Sequence, residues 1–422
     1  MADAPIAIVL GGTVPHCYLI QLLQKRGYYT ILVDYTQNPP AKEYADEHIP
    51  ESTLDKETVL QIARSRNARL VISTNIDQAN VTCCYVAEQL GLPHPYSYET
   101  ALNVTDKKRM KEIMWDNGIP TSRYVVVKGL EELLGVKLTY PLIIKPADSN
   151  SANGVKRVES EDELKRFLPD ALRFSRNSSA IVEEFKEGKE ISAYGVVVNG
   201  KAKLIMNQER ISVYDGVDKV IKCYASLAPS RIPEKAVSRA ESLLTQIAQS
   251  FGLDNTPLFF QGIVQGEEIN IIEFAPRVGG GISFRTILDG TGYDMISAGI
   301  DSFLGIPIET ESWHSMNCCY AVNQIYGENG IYDHCEGVEN LVLGGTVQSI
   351  SFYKAKGDVI DTSRASSSRI GVMVVTGSTQ NELRQKIATA FSTLNSFDIN
   401  GRSIIRRDLN LDSLWETAHT NS

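Results

Sequence analysis

Leu258-Phe-Phe-Gln-Gly-Ile-Val-Gln-Gly-Glu-Glu-Ile-Asn-Ile-Ile-Glu-Phe-Ala-Pro-Arg277, with Gly279, Gly280 and Gly281 close behind, decides how the chain reads. Two apolar runs flank a tight Gln265-Gly266-Glu267 turn, and the second closes on a carboxylate, a proline and an arginine. This pattern predicts a β-hairpin. If the loop holds three residues, Gln261 and Glu273 face each other across the ladder and project to the same side. A two-residue loop sets them one step off the pair, still within reach of one ion. A carboxylate and an amide oxygen on a rigid hairpin, with an arginine just beyond, suit Mg²⁺ and a triphosphate. An ordinary hairpin with its polar face in solvent would look the same in isolation, so the rest of the chain has to decide.

The chain has 422 residues, 43% of them hydrophobic and 22% charged, the composition of a soluble globular protein of roughly two to four domains. No run approaches the roughly 20 apolar residues of a membrane span. A net charge of −9 without a long basic run argues against a nucleic-acid partner. The seven cysteines are Cys17, Cys83, Cys84, Cys223, Cys318, Cys319 and Cys335. Their odd number and the lack of Cys-x-x-Cys suggest neither a disulfide framework nor a structural zinc site. Met1-Ala-Asp-Ala-Pro-Ile6 enters a strand without a basic and apolar leader, so a reduced cytoplasm is the expected compartment. The glycosylation patterns at Asn103 and Asn177 mean little without secretion.

Residues 1 to about 102 alternate apolar runs with helical stretches: Ile6–Leu10, a helix to Arg26-Gly27, Tyr29–Val33, Arg69–Ser73, and a helix to Gly91. The alternation predicts an open, doubly wound parallel sheet in an α/β domain. Gly11-Gly12 and Asp34 invite comparison with a nicotinamide site, but Gly-Gly-Thr-Val-Pro-His lacks the spaced third glycine. A tight turn bordering a substrate cleft is the better expectation. Thr105 to Gly118 predicts a helix capped by Thr105, with Met110, Ile113 and Met114 on its apolar face. Strands are expected at 123–127, 141–146, 180–185 and 191–198, a small-residue loop at 147–155, and a hairpin turn at Asn199-Gly200. A helix over 235–252 precedes the opening hairpin. Beyond about 310 the chain turns strand-rich and ends in a helix from Asn381 to about Leu394.

Taken in order, these elements resemble the ATP-grasp superfamily, specifically its carboxylate–amine ligases. The resemblance is carried by Leu92-Pro93 with Asp106-Lys107 and Gly118-Ile-Pro-Thr121; by Pro141-Leu-Ile-Ile-Lys145 with its small-residue loop; by Val182-Glu-Glu-Phe185 with Glu190-Ile-Ser192; and by Glu273-Phe-Ala-Pro-Arg277. Ser368-Arg-Ile-Gly-Val-Met-Val-Val-Thr-Gly377 and the helix after it resemble the third domain of biotin-carboxylase-like and L-amino-acid-ligase-like members. The implied architecture is an ATP-grasp fold in a mixed α/β (α+β) chain. A pre-ATP-grasp domain would span 1–102. The ATP-grasp domain would span 103–310, with a lid at about 122–188 and a catalytic part at about 189–310. A strand-rich α+β domain would span 311–422.

Residue roles follow from the resemblance. Lys107 and Lys145 match two basic positions that contact the nucleotide phosphates, whereas Lys108 and Lys111 read as solvated surface. Ser149, Ser151, Gly154 and Val155 belong to the loop that folds over the triphosphate, where Asn150 and Ala152 depart from the usual glycine. Glu183, Glu184 and Phe185 match the hinge that reads adenine; strand alternation lets only one of the two glutamates face it. Glu190 matches the carboxylate that binds the ribose hydroxyls. Glu273 and Gln261 match the ligands for Mg²⁺ (or Mn²⁺), with Ala275 replacing a common asparagine. Arg277 and Lys145 match catalytic positions that stabilise an acyl phosphate or oxyanion. Arg210, Lys222, Gly280 and Arg285 are candidates for holding substrate, and an ion pair at the surface explains the charged ones equally well.

The implied activity joins a small-molecule carboxylate to an amine. ATP converts the acid to an acyl phosphate, and amide or peptide formation releases ADP and phosphate. Competing expectations are a bicarbonate-using carboxylase or carbamoyl-phosphate-like enzyme, and a nucleotide-binding protein without turnover. A homodimer is compatible with all three.

Overall fold

In the computed structural model, residues 4–148, 154–175, 177–216 and 220–409 are described. Strands Ile6–Leu10 (β1), Tyr29–Val33 (β2), Glu47–Ile49 (β3) and Leu70–Ile72 (β4) form a parallel sheet in the order β3-β2-β1-β4. They alternate with helices Val14–Lys25 (α1), Lys56–Ser65 (α2) and Asp77–Leu90 (α3). The order reverses at β1, so right-handed crossovers place α1 and α2 on opposite faces, the doubly wound arrangement expected from the alternation. Strand β3 escapes the sequence because three residues of Glu-His-Ile show no period. Asp34 accepts from the amides of Gly12 and Thr36, each at 2.8 Å. It therefore holds the turn. Gly11 has φ +103°, and a Cβ there would strike Ile76 and His16.

Helices Tyr98–Thr105 (α4) and Lys107–Asp116 (α5) meet at Asp106. Asp106, not the expected Thr105, caps α5: its carboxylate accepts from the amides of Lys108 and Arg109 at 2.9 and 3.1 Å. Thr105 instead ends α4, a helix the apolar spacing alone did not separate. Strands Tyr124–Val127 (β5), Leu142–Pro146 (β6), Lys156–Val158 (β7) and Ala180–Glu184 (β8) build a small antiparallel sheet, order β5-β8-β6-β7. Helix Glu161–Phe174 (α6) covers it with Leu164, Leu168 and Ala171, one face at helical spacing.

The rest is dominated by one antiparallel sheet. Its first strands are Lys189–Val198 (β9), Lys201–Asp215 (β10), Val220–Ala228 (β11), Thr256–Gln265 (β12) and Glu268–Ala275 (β13). Helix Glu234–Phe251 (α7) packs on this sheet through Ala236, Ala240, Leu243, Leu244, Ile247 and Phe251. Asn199 and Gly200, at φ +54° and +69°, make the tight β9–β10 turn. Helices Ser283–Thr291 (α8) and Met295–Leu304 (α9) follow, then Cys319–Tyr326 (β14), Gly330–Glu336 (β15), Val338–Leu343 (α10), Ser349–Phe352 (β16), Val359–Ile360 (β17), Arg369–Gly377 (β18), Gln380–Thr393 (α11) and Asn395–Asp398 (β19). The large sheet runs β13-β12-β9-β10-β11-β14-β18-β16, so strands after residue 310 extend the same sheet that carries the hairpin. The remaining β17-β15-β19 form a separate small sheet.

Helix α9 ties the first sheet to the large one. Tyr18 of α1 donates to Asp294 at 2.8 Å, and Arg26 pairs with Asp301 at 2.6 Å. Leu19, Ile20, Met295, Ile296 and Phe259 share one core. Among the described residues no helix is long and apolar enough to cross a membrane.

Candidate active site

The β12–β13 connection, Gly266-Glu267, holds two residues, with Gln265 opposite Glu268. On that register Gln261 would miss Glu273. The ladder slips once: Gly262 pairs with Ile271, Gln261 pairs with Glu273, and Ile272 is the extra residue. A one-residue bulge therefore restores the juxtaposition that a three-residue loop over 266–268 would have produced. Both side chains line a cleft of about 1360 Å³ between the small sheet and the large one.

Lysines enter this cleft from two directions. Lys107 opens α5, and its ammonium lies 3.6 Å from Glu273. Lys145, from β6, donates to Glu183 Oε1 at 2.6 Å. Lys111, expected at the surface, is only 1% exposed. Its helix face turns inward with Met110 and Met114, and its ammonium lies 2.7 Å from Glu183 Oε2 and donates to Thr121 at 2.8 Å. The Lys111 contact with Glu183 is an ion pair without the angle of a hydrogen bond. Lys108 stays outside, paired with Glu112, as expected. Burial pushes the Glu183 pKa up, but the two ammonium groups outweigh it and hold the carboxyl at about 2. Burial likewise pulls Lys111 down, opposed by Glu183.

This triad alters the expected hinge. Glu183 sits on the central strand of its sheet, opposite Tyr124 and Ile143; its carboxylate is taken up by lysines and is not open to a purine. Glu184 accepts from the Thr139 amide at 3.1 Å. The amides of Glu184 and Phe185 donate to the carbonyls of Arg123 and Pro141, each at 2.9 Å. What the hinge does provide is an apolar slot: Ile143, Val155 and Phe185 on one wall, Ile263 and Ile272 on the other. The Arg157 guanidinium lies over the Phe185 ring, 4.1 Å from its centre. Gly154 has φ +74°, and a Cβ there would press on Pro146 and Phe174. Ser149 and Ser151 lie outside the described residues.

Glu190 lines the cleft in register with Arg210 and Ile263. It accepts from Arg210 Nε at 2.7 Å and Ser212 Oγ at 3.2 Å. Arg210 is thus committed to a protein carboxylate. Two other anchors fall outside the cleft: Lys222 is fully buried against Asp215, which Arg406 also grips at 2.8 Å, and Arg285 is an exposed partner of Asp289 at 3.0 Å, one helical turn away. Alternation sends Lys222 to the core side, between Ile221 and Cys223 that face the cleft. Gly280 lines the cleft.

Arg277 is clamped by Asp77 of α3 through Nε at 2.5 Å and Nη2 at 2.7 Å, while Nη1 donates to the Val278 carbonyl at 2.8 Å. These contacts use three of its five N–H donors. Asp77 was not singled out from the sequence, nor was the cleft-lining set Lys189, Glu209 and Arg231. There Arg231 holds Glu209 at 2.7 and 2.9 Å, and Lys189 lies 3.6 Å from it. Neither set carries a sequence motif.

Among the described residues no group of three or more His, Cys, Asp or Glu side chains is assembled for a metal. Mg²⁺ does not require one: it commonly takes one or two carboxylates and completes its octahedron with water and phosphate oxygens. Glu273 and Gln261 fit that demand as a pair of oxygens on one face of a stiff hairpin, and the nearby Lys107 supplies positive charge for phosphates.

Comparison with known proteins matches residues 138–285 to the ATP-grasp domain and residues 324–396 to the L-amino acid ligase C-terminal domain 2. The carbamoyl phosphate synthase large chain of Pseudomonas syringae pv. tomato is 23% identical over 284 residues, 65% of this chain and 26% of that one. The chain therefore spans about a quarter of that relative. The formate-dependent phosphoribosylglycinamide formyltransferase of Sulfurisphaera tokodaii is 24% identical over 402 residues, 91% of this chain and 95% of that one. The crystal structure of an L-amino acid ligase from Bacillus licheniformis shares the fold, with a TM-score of 0.79 at 18% identity over 94% of this chain and 99% of the other.

Proposed function

Since this chain carries an ATP-grasp domain joined to an L-amino acid ligase C-terminal domain, we propose that it is an ATP-dependent carboxylate–amine ligase whose active site is the cleft between its two antiparallel sheets. The observation that carries this is the convergence of the Gln261–Glu273 pair with Lys107 and the Lys145–Glu183 pair, backed by the buried Lys111, on one cavity.

The chemistry follows from charge. A carboxylate is a poor electrophile, and phosphorylating it supplies a leaving group. Mg²⁺, held by Glu273 and Gln261, would shield the phosphates from the incoming anion. Lys107 stands beside Glu273 to take up negative charge on the phosphates. Lys145 brings a second ammonium from the lid, with Glu183 fixing its position. The lid sheet and Gly154 border the nucleotide and keep water from the acyl phosphate. Arg277, its fork aimed by Asp77, keeps two N–H groups for oxygen as the amine adds to the acyl carbon. Collapse then expels phosphate and leaves the amide. Glu190 faces the ribose, and the Ile143–Phe185 slot takes the base.

The test is ADP release from a panel of acids and amines offered singly and in pairs, with formate and bicarbonate among the acids. A ligase releases ADP when acid and amine are both present. Bicarbonate alone sufficing would point to the carboxylase alternative, and nucleotide binding without turnover across the panel would contradict the proposal.

A further inference from the structure

Across the large sheet, Glu273 of β13, Gln261 of β12, Ser192 of β9 and Gln208 of β10 are successive cross-strand partners. Residues directly opposite each other project to the same side, so this polar row runs along the floor of the cleft, starting from the proposed magnesium pair. Gln261 therefore has a carboxylate on one flank and a hydroxyl on the other. That hydroxyl belongs to Ser192, which is fully buried and whose Oγ has no hydrogen-bond partner. A buried hydroxyl in that state calls for one.

What stands behind Ser192 sets the direction in which it can serve. Tyr194 lies two residues on along β9, on the same face of the sheet. It is buried, and its ring stacks on Phe259 with 5.7 Å between centres. Its hydroxyl oxygen accepts from Gln208 Nε2 at 2.6 Å. Burial raises the Tyr194 pKa, and the Ser192 hydroxyl beside it acts the other way, the effect of a proton turned toward the phenol oxygen. The lone pairs of Ser192 Oγ are then left for a donor on the Gln261 side.

An amide can face a cation correctly or wrongly. Its oxygen is a ligand and its NH₂ group is not. With nothing to hold it, Gln261 would turn its NH₂ to the Glu273 carboxylate and place N–H bonds where the ion belongs. Resting on the ligase proposal and its magnesium pair, we infer that Ser192 is a positioning residue: its oxygen accepts a hydrogen bond from Gln261 Nε2, which turns Gln261 Oε1 toward Glu273 so that an oxygen from each residue faces one divalent cation. Tyr194 and Gln208 hold Ser192 in that role. A carboxylate at position 261 would need no such help, since both of its ends are oxygen.

The experiment is calorimetric titration of the full chain with a non-hydrolysable ATP analogue, once with Mg²⁺ in excess and once with a chelator. The ratio of the two affinities is the gain contributed by the cation, and it is read without turnover. Wild type should show a clear gain, and Ser192→Ala should lower it roughly ten- to hundred-fold, the usual cost of removing a partner that orients a metal ligand. Affinity in chelator should match wild type, which shows that the variant is folded and its nucleotide slot intact. In the Gln261→Glu background the same Ser192→Ala change should leave the gain unaltered. A full gain in Ser192→Ala, or an equal loss in both backgrounds, would overturn the positioning role and leave the ligase proposal standing. A wild type whose affinity does not respond to Mg²⁺ removes the hairpin metal pair and Ser192 with it, and no affinity for the analogue removes the ligase proposal as well.

Discussion

The guanidinium of Arg277 grips the carboxylate of Asp77 through contacts of 2.5 and 2.7 Å, across 200 residues of sequence. The pair joins the first turn of α3, on the N-terminal sheet, to the end of the hairpin strand β13. Positioning of Arg277 is therefore a property of the docking between two sheets.

Asp77→Asn should keep the bulk of the pair while removing its charge. Turnover on the best acid–amine pair is expected to fall by up to roughly 100-fold, the cost of about 1 Å of misplacement. The melting temperature should drop modestly, because the carboxylate is partly solvated and such pairs contribute about 1 kcal/mol or little more. ADP-release kinetics beside thermal unfolding check this; unchanged turnover would show that Arg277 does not need its clamp.

Glu183→Gln should be far more damaging to stability. It leaves two ammonium groups in a buried site without a carboxylate, a loss of about 3–5 kcal/mol. The pH dependence has a definite sign. The folded-state value of Glu183, about 2, lies below its ordinary 4.5. Its stabilisation is therefore complete above pH 4.5 and disappears as pH falls through about 2. Urea titrations should show a constant gap between wild type and variant near neutrality, closing on the acid side. A gap that widens on acidification would contradict the triad.

Glu273→Gln should lower phosphate release by roughly 100-fold or more with the fold intact, whereas Gln261→Glu should lower the Mg²⁺ concentration needed for half-maximal rate, since a second carboxylate strengthens a hard-cation site. Magnesium titrations of initial rate give both results. The same magnesium requirement in all three proteins would remove the hairpin from the metal site.

Glu190→Gln isolates the ribose. If Glu190 accepts from the sugar hydroxyls, wild type discriminates ATP from 2′-deoxy-ATP in KM and the variant discriminates less. Arg210 and Ser212 hold the carboxylate in place, so the variant should also melt at a lower temperature, because Arg210 loses its counter-charge. Equal discrimination in both proteins would show that Glu190 serves only Arg210.

The fold was legible wherever periodicity was long. The N-terminal alternation, the amphipathic α7 and the Gly266 hairpin each carry enough residues to declare their type. What failed was local and contextual. Register at Glu273 depends on the bulge at Ile272, and an apolar run does not reveal which of its residues leaves the ladder. The burial of Lys111 depends on what packs against α5, and the spacing Lys107, Lys111 looks the same on a wet face as on a dry one. Glu183 and Glu184 could be separated only once β8 was known to lie between β5 and β6. Lys222 and Arg285 were charged residues on plausible loops, which their pairing with Asp215 and Asp289 places elsewhere.

The central claim, that the cleft transfers phosphate from ATP to a carboxylate, is tested most directly with an acid labelled with ¹⁸O in its carboxyl group and an amine partner from the panel. Mass analysis of the inorganic phosphate should find one ¹⁸O atom carried over per turnover, because the acyl phosphate bridging oxygen leaves with phosphorus. Phosphate free of label, at a rate matching ADP formation, would contradict it.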